Sequence, residues 1–210
     1  EKNNSRLFME QTVPRILRKP YQSAVDKSFR VNVLWNENFP DKPRYGWVTA
    51  DHLCNYFNDV VRCSIVCRFI DGPRFVTDQL MRLSKELGLE RRRYTQERDE
   101  GYYAYHFYVK FPIKVVDFDW EEHDANLEVE IQVTTQLQDV LRSLTHNFYK
   151  KSRLSESDNT KWKWDFKSNQ FRVSYLSHAL HLFESVILEA REEVNAVDGG
   201  SDEGGIKDER

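Results

Sequence analysis

Gly101-Tyr102-Tyr103-Ala104-Tyr105-His106 and Glu128-Val129-Glu130-Ile131-Gln132-Val133 decide the fold. Both stretches alternate with the period of two that marks a strand. In the second, Glu128, Glu130 and Gln132 point one way and Val129, Ile131 and Val133 the other. A strand that only fills a core has no use for a carboxylate and an amide two residues apart on one face. A strand that floors a polar pocket does, so the chain reads as an enzyme.

Working outward, strands are expected at 89–95, 103–111 and 127–133, with the acidic stretch 117–126 as a turn. Upstream, Ser64 to Ile70 reads as a strand stopped by Asp71-Gly72-Pro73. Residues 74–87 carry Phe75, Leu80, Leu83 and Leu87 at helical spacing and stop at Gly88. Thr49 is placed to cap a short helix over 50–58, after an ordered loop with short strands over 29–50. Residues 6–28 read as helical, interrupted at Pro14 and Pro20. Helices are expected at 136–150 and at 170–194, the latter with an apolar stripe through Phe171, Leu176, Leu180, Phe183, Ile187 and Val194. Residues 152–160 read as a polar loop, and glycine and acid dominate from Asn195 onward. The expectation is an α+β domain over 1–194: a mostly antiparallel mixed sheet of about five strands flanked by helices, then a disordered acidic tail over 195–210.

With 210 residues the chain can bury a sizeable core. Its formal net charge of −3 argues against bulk coating of nucleic acid. Basic residues nonetheless cluster at 15–19, 91–98 and 150–167, which suits a small polyanion. Three cysteines without a CxxC pair predict reduced thiols and a cytoplasmic setting, with Cys63 and Cys67 as small core residues. No apolar run of membrane-spanning length occurs, and the polar start, without Met or a signal stretch, reads as trimmed.

Asp59 and Glu130 either converge on one hard cation, which takes one or two protein carboxylates, or serve as a turn cap and an arginine partner. Tyr102 is either a base-stacking ring or a half-buried strand tyrosine, and His106 either contacts a ribose or phosphate or sits satisfied under the sheet. Arg15, Arg18, Lys19, Lys27 and Arg98 are candidate phosphate holders among ordinary surface cations. His178 and His181, three apart on a helix, lack a third ligand for zinc. Trp162 and Trp164 flank Lys163 and suit either RNA stacking or anchoring of a loop. GxxxxGK[ST], GxGxxG and GxSxG are absent.

Taken together these residues resemble the RelA/SpoT nucleotidyltransferase family, the synthetases of the alarmone (p)ppGpp, in its short single-domain branch. Asp59-Val60-Val61-Arg62-Cys63-Ser64 stands where that family has a DxxGxR-like pattern. Gly101 to His106 looks like its GYxSxH strand, and Glu130 to Thr135 like its ExQxRT strand. His146, Tyr149 and Lys150 follow on the next helix, and Lys19, Ser23 and Lys27 resemble an upstream basic stretch and S-x-x-x-K. The likeness covers about 13–150 and leaves a C-terminal helical extension over 160–194. Arg62, Ser64, Ala104 and Thr134 depart from glycine, arginine, serine and arginine in the pattern, and Glu100 from a frequent asparagine. Leu17 falls where an ATP-contacting arginine is expected, with Arg15 and Arg18 beside it.

The resemblance implies a nucleotidyltransferase-like fold and a pyrophosphokinase. ATP would lie near Arg15, Arg18, Lys19, Ser23 and Lys27, with Mg2+ on Asp59 and Glu130, which are also the catalytic pair. The β,γ-pyrophosphate would pass to the 3′-hydroxyl of a guanosine nucleotide held by Arg98, Tyr102, His106, Gln132 and His146. Alternative acceptors are an adenosine nucleotide and, as in the toxic branch, the 3′-CCA end of tRNA; a nucleotide-binding module without activity is a third reading. A linked hydrolase domain is not expected. Homo-oligomer formation and an antitoxin partner are implied only by the family.

Overall fold

The computed structural model describes residues 6–8, 14–49, 53–97, 101–116, 119–143 and 162–200. Five strands form one sheet in the order β1-β2-β5-β4-β3: β1 Ile16–Arg18, β2 Val61–Cys67, β3 Arg91–Glu97, β4 Tyr103–Val116 and β5 Glu122–Thr135. β2 and β5 are parallel and the other neighbouring pairs antiparallel, so the expected mixed, mostly antiparallel sheet is present. The helices are α1 Tyr21–Phe29, α2 Leu53–Tyr56, α3 Gly72–Glu86, α4 at 136–143 and α5 Asn169–Gly200.

The central hairpin of β4 and β5 fixes which side chains share a face. Its register pairs His106 with Gln132 and Tyr108 with Glu130, while β2 sets Arg62 beside Glu130 and Ser64 beside Gln132. Across the sheet these residues therefore line one face, with Leu17 of β1 and Arg92 and Tyr94 of β3. The other face is apolar. There Cys67 and Val133 are fully buried against Val76 of α3, with Ile65, Leu80, Tyr105 and Ile131 around them. Each such aliphatic side chain contributes about 1.5–3 kcal/mol by leaving water. α3 begins at Gly72-Pro73, with proline in the first turn, where its missing N–H costs nothing. It ends before Gly88, whose φ of +68° gives the left-handed turn that stops a helix. Burial and the Asp71 charge push the Cys67 thiol up to about 12, and burial raises Cys63, so both behave as core residues.

Several boundaries differ from the sequence reading, each for a tertiary reason. The helix expected over 6–28 is replaced by a bridge from Phe8 to Cys67, strand β1 and then α1, which starts only after Pro20. Pairing with the edge of β2 outweighs local helical propensity there, and the Lys19 amide donates to the Val60 carbonyl. The short strands expected over 29–50 are absent from 30–49: a π-helical turn covers Arg30–Leu34, and turns follow. The Asn32 side chain does the pairing instead, bonding both the N–H and the carbonyl of Val48. β2 starts at Val61 and stops at Cys67, three residues earlier at each end than expected, because β1 and β5 both pair with its start. β4 and β5 run on to Val116 and from Glu122, confining the acidic turn; Lys114 bonds Glu122 across the pair at 2.9 Å. α5 extends to Gly200, past the boundary expected at Asn195, and 201–210 lie outside the described residues. So do 144–150 of the helix expected over 136–150, and the loop at 152–160.

α5 also turns over the expected stripe. Leu176, Phe183, Ile187 and Val194 are exposed, whereas Ser174, Ser177 and Glu184 are buried. The side facing the body is polar because hydrogen bonds, not apolar contacts, seat it. Ser177 Oγ donates to the Gly101 carbonyl, and Arg191 pairs with Asp71 at 2.9 Å. Trp162 is buried beside Tyr175 and anchors its segment, while Trp164 is exposed. Among the described residues no helix is long and apolar enough to cross a membrane.

Candidate active site

Glu130 is the buried carboxylate at the middle of the polar face. His106 Nδ1 donates to its Oε1 at 2.7 Å, and the Tyr108 hydroxyl donates to the same oxygen at 3.1 Å. Burial alone would raise its pKa, but the His106 and Gln132 hydrogen bonds and the charge interaction with His106 hold it below the usual range. Burial and the neighbouring Glu130 push the Tyr108 phenol up, so it remains a donor. Gln132 is oriented in turn by Arg142 of α4, whose Nη1 donates to its Oε1 at 2.8 Å. An ionised carboxylate held in a fixed direction is the result.

Rings line the same face. Tyr94 stacks on His106 at 5.1 Å between centroids and on Tyr108 at 6.2 Å, and Tyr94 is the more exposed rim. Tyr102 leans over His106 at 6.2 Å and 57°. The Arg92 guanidinium lies 3.8 Å from the Tyr108 ring centre and pairs with Glu128, which raises its pKa and keeps it charged. Flat groups beside a carboxylate and a cation suit a nucleobase and its ribose.

At the neighbouring end of β2 stands a second carboxylate. Asp59 lies just before β2 and is bonded by Lys19 Nζ at 2.5 Å and Lys27 Nζ at 2.8 Å. Its burial would raise the pKa, yet the two ammonium groups outweigh this and lower it. Lys27 also sits 4.5 Å over the Phe57 ring, in the small core of Ala24, Val48 and Phe57 that fixes α1 against this corner. Two lysines on one aspartate leave a formal charge of +1, a seat for an anion with several negative oxygens. The β2–β5 register puts Asp59 three residues before the partner of Glu130, at most about 10 Å along the strand.

Of the residues expected from the sequence, Lys19, Lys27 and Asp59 are brought together, and so are Glu130, His106, Gln132 and Tyr102. Ser23 is half-buried in α1, one helical turn before Lys27. Arg15 is exposed, and Arg18 projects from the face opposite Glu130, because Leu17 takes the position beside Arg62. Arg98 and His146 lie outside the described residues, as do Tyr149 and Lys150. The residues that sequence reasoning missed are Arg62, Arg142, Tyr94, Tyr108 and Arg92. For the four on strands the signal was alternation of unknown register, which becomes informative only once β3, β4, β5 and β2 are aligned; Arg142, on α4, carried none. A cavity of about 840 Å³ lies between α3, α4 and the edge of β2; Arg15 and Ser64 line it, and neither Asp59 nor Glu130 does. Among the described residues no three His, Cys, Asp or Glu side chains gather to hold a metal.

No protein-family model and no curated protein sequence matches the chain. Solved structures do. Small alarmone synthetase 1 from Bacillus subtilis is similar over 88% of this chain and 81% of its own, at 18% identity and a TM-score of 0.58. A GTP pyrophosphokinase family protein from Streptococcus pneumoniae is similar over 93% and 81%, at 17% identity and a TM-score of 0.59. The fold is that of the small alarmone synthetases. The Bacillus subtilis protein is also similar in its form bound to its product pppGpp, over 87% of this chain and 79% of its own, at 18% identity and a TM-score of 0.57. With 93% of the chain covered, at least part of the 32-residue α5 lies within the similarity.

Gly101 is the pivot between the rings and α5. Its φ is +89°, and a Cβ there would stand 2.6 Å from the Ser177 Cβ and 2.9 Å from the Ser174 carbonyl oxygen. Gly101→Ala is expected to cost about 2–5 kcal/mol, since the left-handed backbone costs roughly 1–2 and forced overpacking about 1–3. Urea unfolding measures it; an unchanged midpoint and slope would contradict this packing.

Proposed function

We propose that the chain is a pyrophosphokinase that moves the β,γ-pyrophosphate of ATP to the 3′-hydroxyl of a guanosine nucleotide. The observation that carries this reading is the buried, ionised Glu130, held by His106, Tyr108 and Gln132 beneath the Tyr102 and Tyr94 rings. The likeness to a protein bound to pppGpp supports it.

In this reading the acceptor base lies against Tyr102, and its 3′-hydroxyl is turned to Glu130. The carboxylate takes the hydroxyl proton as the oxygen attacks the β-phosphorus. The bond from that phosphorus to the α-phosphate oxygen breaks, and AMP leaves. Proton acceptance of this kind is typically worth about 10²–10⁴-fold. Most of the rest is positioning and stabilisation of charge on the phosphates. Lys19 and Lys27 exchange the Asp59 carboxylate for phosphate oxygens, and Arg62, set between Leu17 and Glu130, adds a cation on the sheet face.

The donor chemistry fits Mg2+, a hard cation that takes one or two carboxylates and completes its shell with water and phosphate. Asp59 and Glu130 would hold it, and when bound it neutralises charge on the polyphosphate. Asp59 reaches that role only as its lysines turn to the nucleotide. The departures from the family pattern weigh less in space than in sequence. Thr134 donates to the Tyr103 carbonyl at 3.2 Å, and Ser64 Oγ is buried with no partner among the described residues. Arg62 and Arg142 stand on the same face as these two, which favours a working site over a nucleotide-binding module.

The test incubates the protein with ATP labelled at the γ-phosphate and, in parallel, GDP, GTP, ATP and bulk tRNA. Label in a guanosine nucleotide is the expected result. Label only in tRNA would overturn the acceptor assignment, and label in none would overturn the enzyme. In the same assay Tyr102→Ala is expected to raise the GDP KM, since base stacking is worth about 1–3 kcal/mol. That is roughly fivefold to 150-fold in affinity. A parent-like GDP KM would remove the stacking role.

A further inference from the structure

Seen from the sheet, α5 is an odd cover: Leu176, Leu182, Phe183, Val186 and Ile187 are exposed, and the side chains that it buries, Ser174, Ser177 and Glu184, are polar. A helix that served only to close a core would present leucine inward. The buried polar groups converge on the two residues that flank Tyr102. On one side, fully buried Ser177 donates from Oγ to the Gly101 carbonyl, and the glycine leaves no room for a Cβ against α5. On the other, the Tyr103 hydroxyl meets His178 Nδ1 at 2.5 Å, and its ring stacks on His181 at 3.8 Å and 7°. His181 is itself held by buried Glu184 at 3.2 Å, and Thr134 of β5 donates to the Tyr103 carbonyl. Neither His178 nor His181 is spent on a metal or on the carboxylates of the site.

We propose that α5 is the positioning element for the acceptor base: Ser177 holds the Gly101 backbone, His178 and His181 hold the Tyr103 side chain, and the two together set where the Tyr102 ring stands. Consecutive Cα atoms are 3.8 Å apart, so a residue whose two neighbours are fixed has little freedom beyond its own side-chain rotation. The Tyr102 ring leaves this bracket towards His106, and His106 is bonded to Glu130. The helix thereby sets the distance between the base platform and the carboxylate without touching either. The inference rests on the stacking role of Tyr102 given above.

Ser177→Ala removes the donor to Gly101, His181→Ala removes the stacked ring, and His181→Phe keeps it. The readouts are the KM for GDP, the KM for ATP, kcat, and hydrogen exchange of the Tyr102 to Ala104 amides. For Ser177→Ala and His181→Ala, faster exchange is expected with a GDP KM raised on the order of tenfold, inside the ~10²-fold that a 1 Å misplacement costs. The ATP KM is expected to stay at its parent value while kcat falls with the misplaced 3′-hydroxyl, and His181→Phe is expected to restore the GDP KM. If either alanine variant fails to fold, His181→Phe against the parent and the surviving variant still compares the GDP and ATP columns. A parent-like GDP KM despite faster exchange, or equal rises for GDP and ATP, would overturn the positioning role. Tyr102→Ala separates the two levels. If it raises the GDP KM while the α5 variants are silent, only this inference falls; if it is silent in a protein that transfers label, the stacking role and the inference fall together.

Discussion

Glu130→Gln is expected to lower pyrophosphate transfer by at least about 10²–10⁴-fold while leaving the fold in place, because it removes the proton acceptor and with it one of the two carboxylates that would hold Mg2+. Glutamine has the shape of glutamate and can still accept from Tyr108 and His106 through its amide oxygen, the two donors that now share Oε1. Alanine would be the poorer experiment. It strips His106 and Tyr108 of their buried acceptor, at about 1–3 kcal/mol for each orphaned group, and confounds chemistry with folding. The measurement is initial rate with labelled ATP and saturating GDP, beside the urea midpoint. A glutamine variant that transfers at parent rate, with an unchanged midpoint, would show that proton acceptance lies elsewhere. A variant that loses rate only in proportion to its folded fraction would make Glu130 a structural residue.

The parts of this site differ in how far the sequence exposes them. β4 and β5 are legible because their alternation is nearly uninterrupted, and because a carboxylate and an amide on one face of a strand have few uses inside a core. Tyr102, His106, Glu130 and Gln132 therefore emerge together. β1 is hidden because three residues between two prolines carry no period; only the edge of β2 makes Ile16–Arg18 a strand. That short strand also decides the arginines, since one step of register puts Leu17 rather than Arg18 on the Glu130 face. Arg142 and Tyr94 look like ordinary surface residues until the helix after β5 and the far edge strand are folded over Gln132 and His106. α5 misleads for a different reason. Its strongest periodic signal is apolar, but hydrogen bonds to Gly101, Tyr103 and Asp71 seat the opposite side. Hydrophobic periodicity identifies the buried side of a helix only where burial is what holds it.

Asp59→Asn tests the other carboxylate, and its expected signature is a split between binding and turnover. In the free protein Asp59 neutralises one of the two ammonium groups that bond it, so the corner carries a formal +1. Asparagine raises this to +2. Binding of AMPCPP without metal is therefore expected to hold or tighten, although an acid has been removed from the phosphate seat. Turnover is expected to fall by at least about 10²-fold, the equivalent of roughly 3 kcal/mol, because the cation loses a carboxylate ligand. Mn2+ binding in the presence of AMPCPP, followed by electron paramagnetic resonance, should weaken in parallel. Acid stability supplies an independent check. Asp59 has a folded pKa below its ordinary 3.8, so its contribution to stability is present above that value and is lost as the pH falls through the lower folded one. The variant should lose that part of the acid dependence and keep the part due to Glu130, whose pKa is likewise depressed from 4.5. Transfer at parent rate would end the metal role of Asp59. Weakened AMPCPP binding would mean that the lysines need the aspartate to hold them, and that the phosphates sit elsewhere.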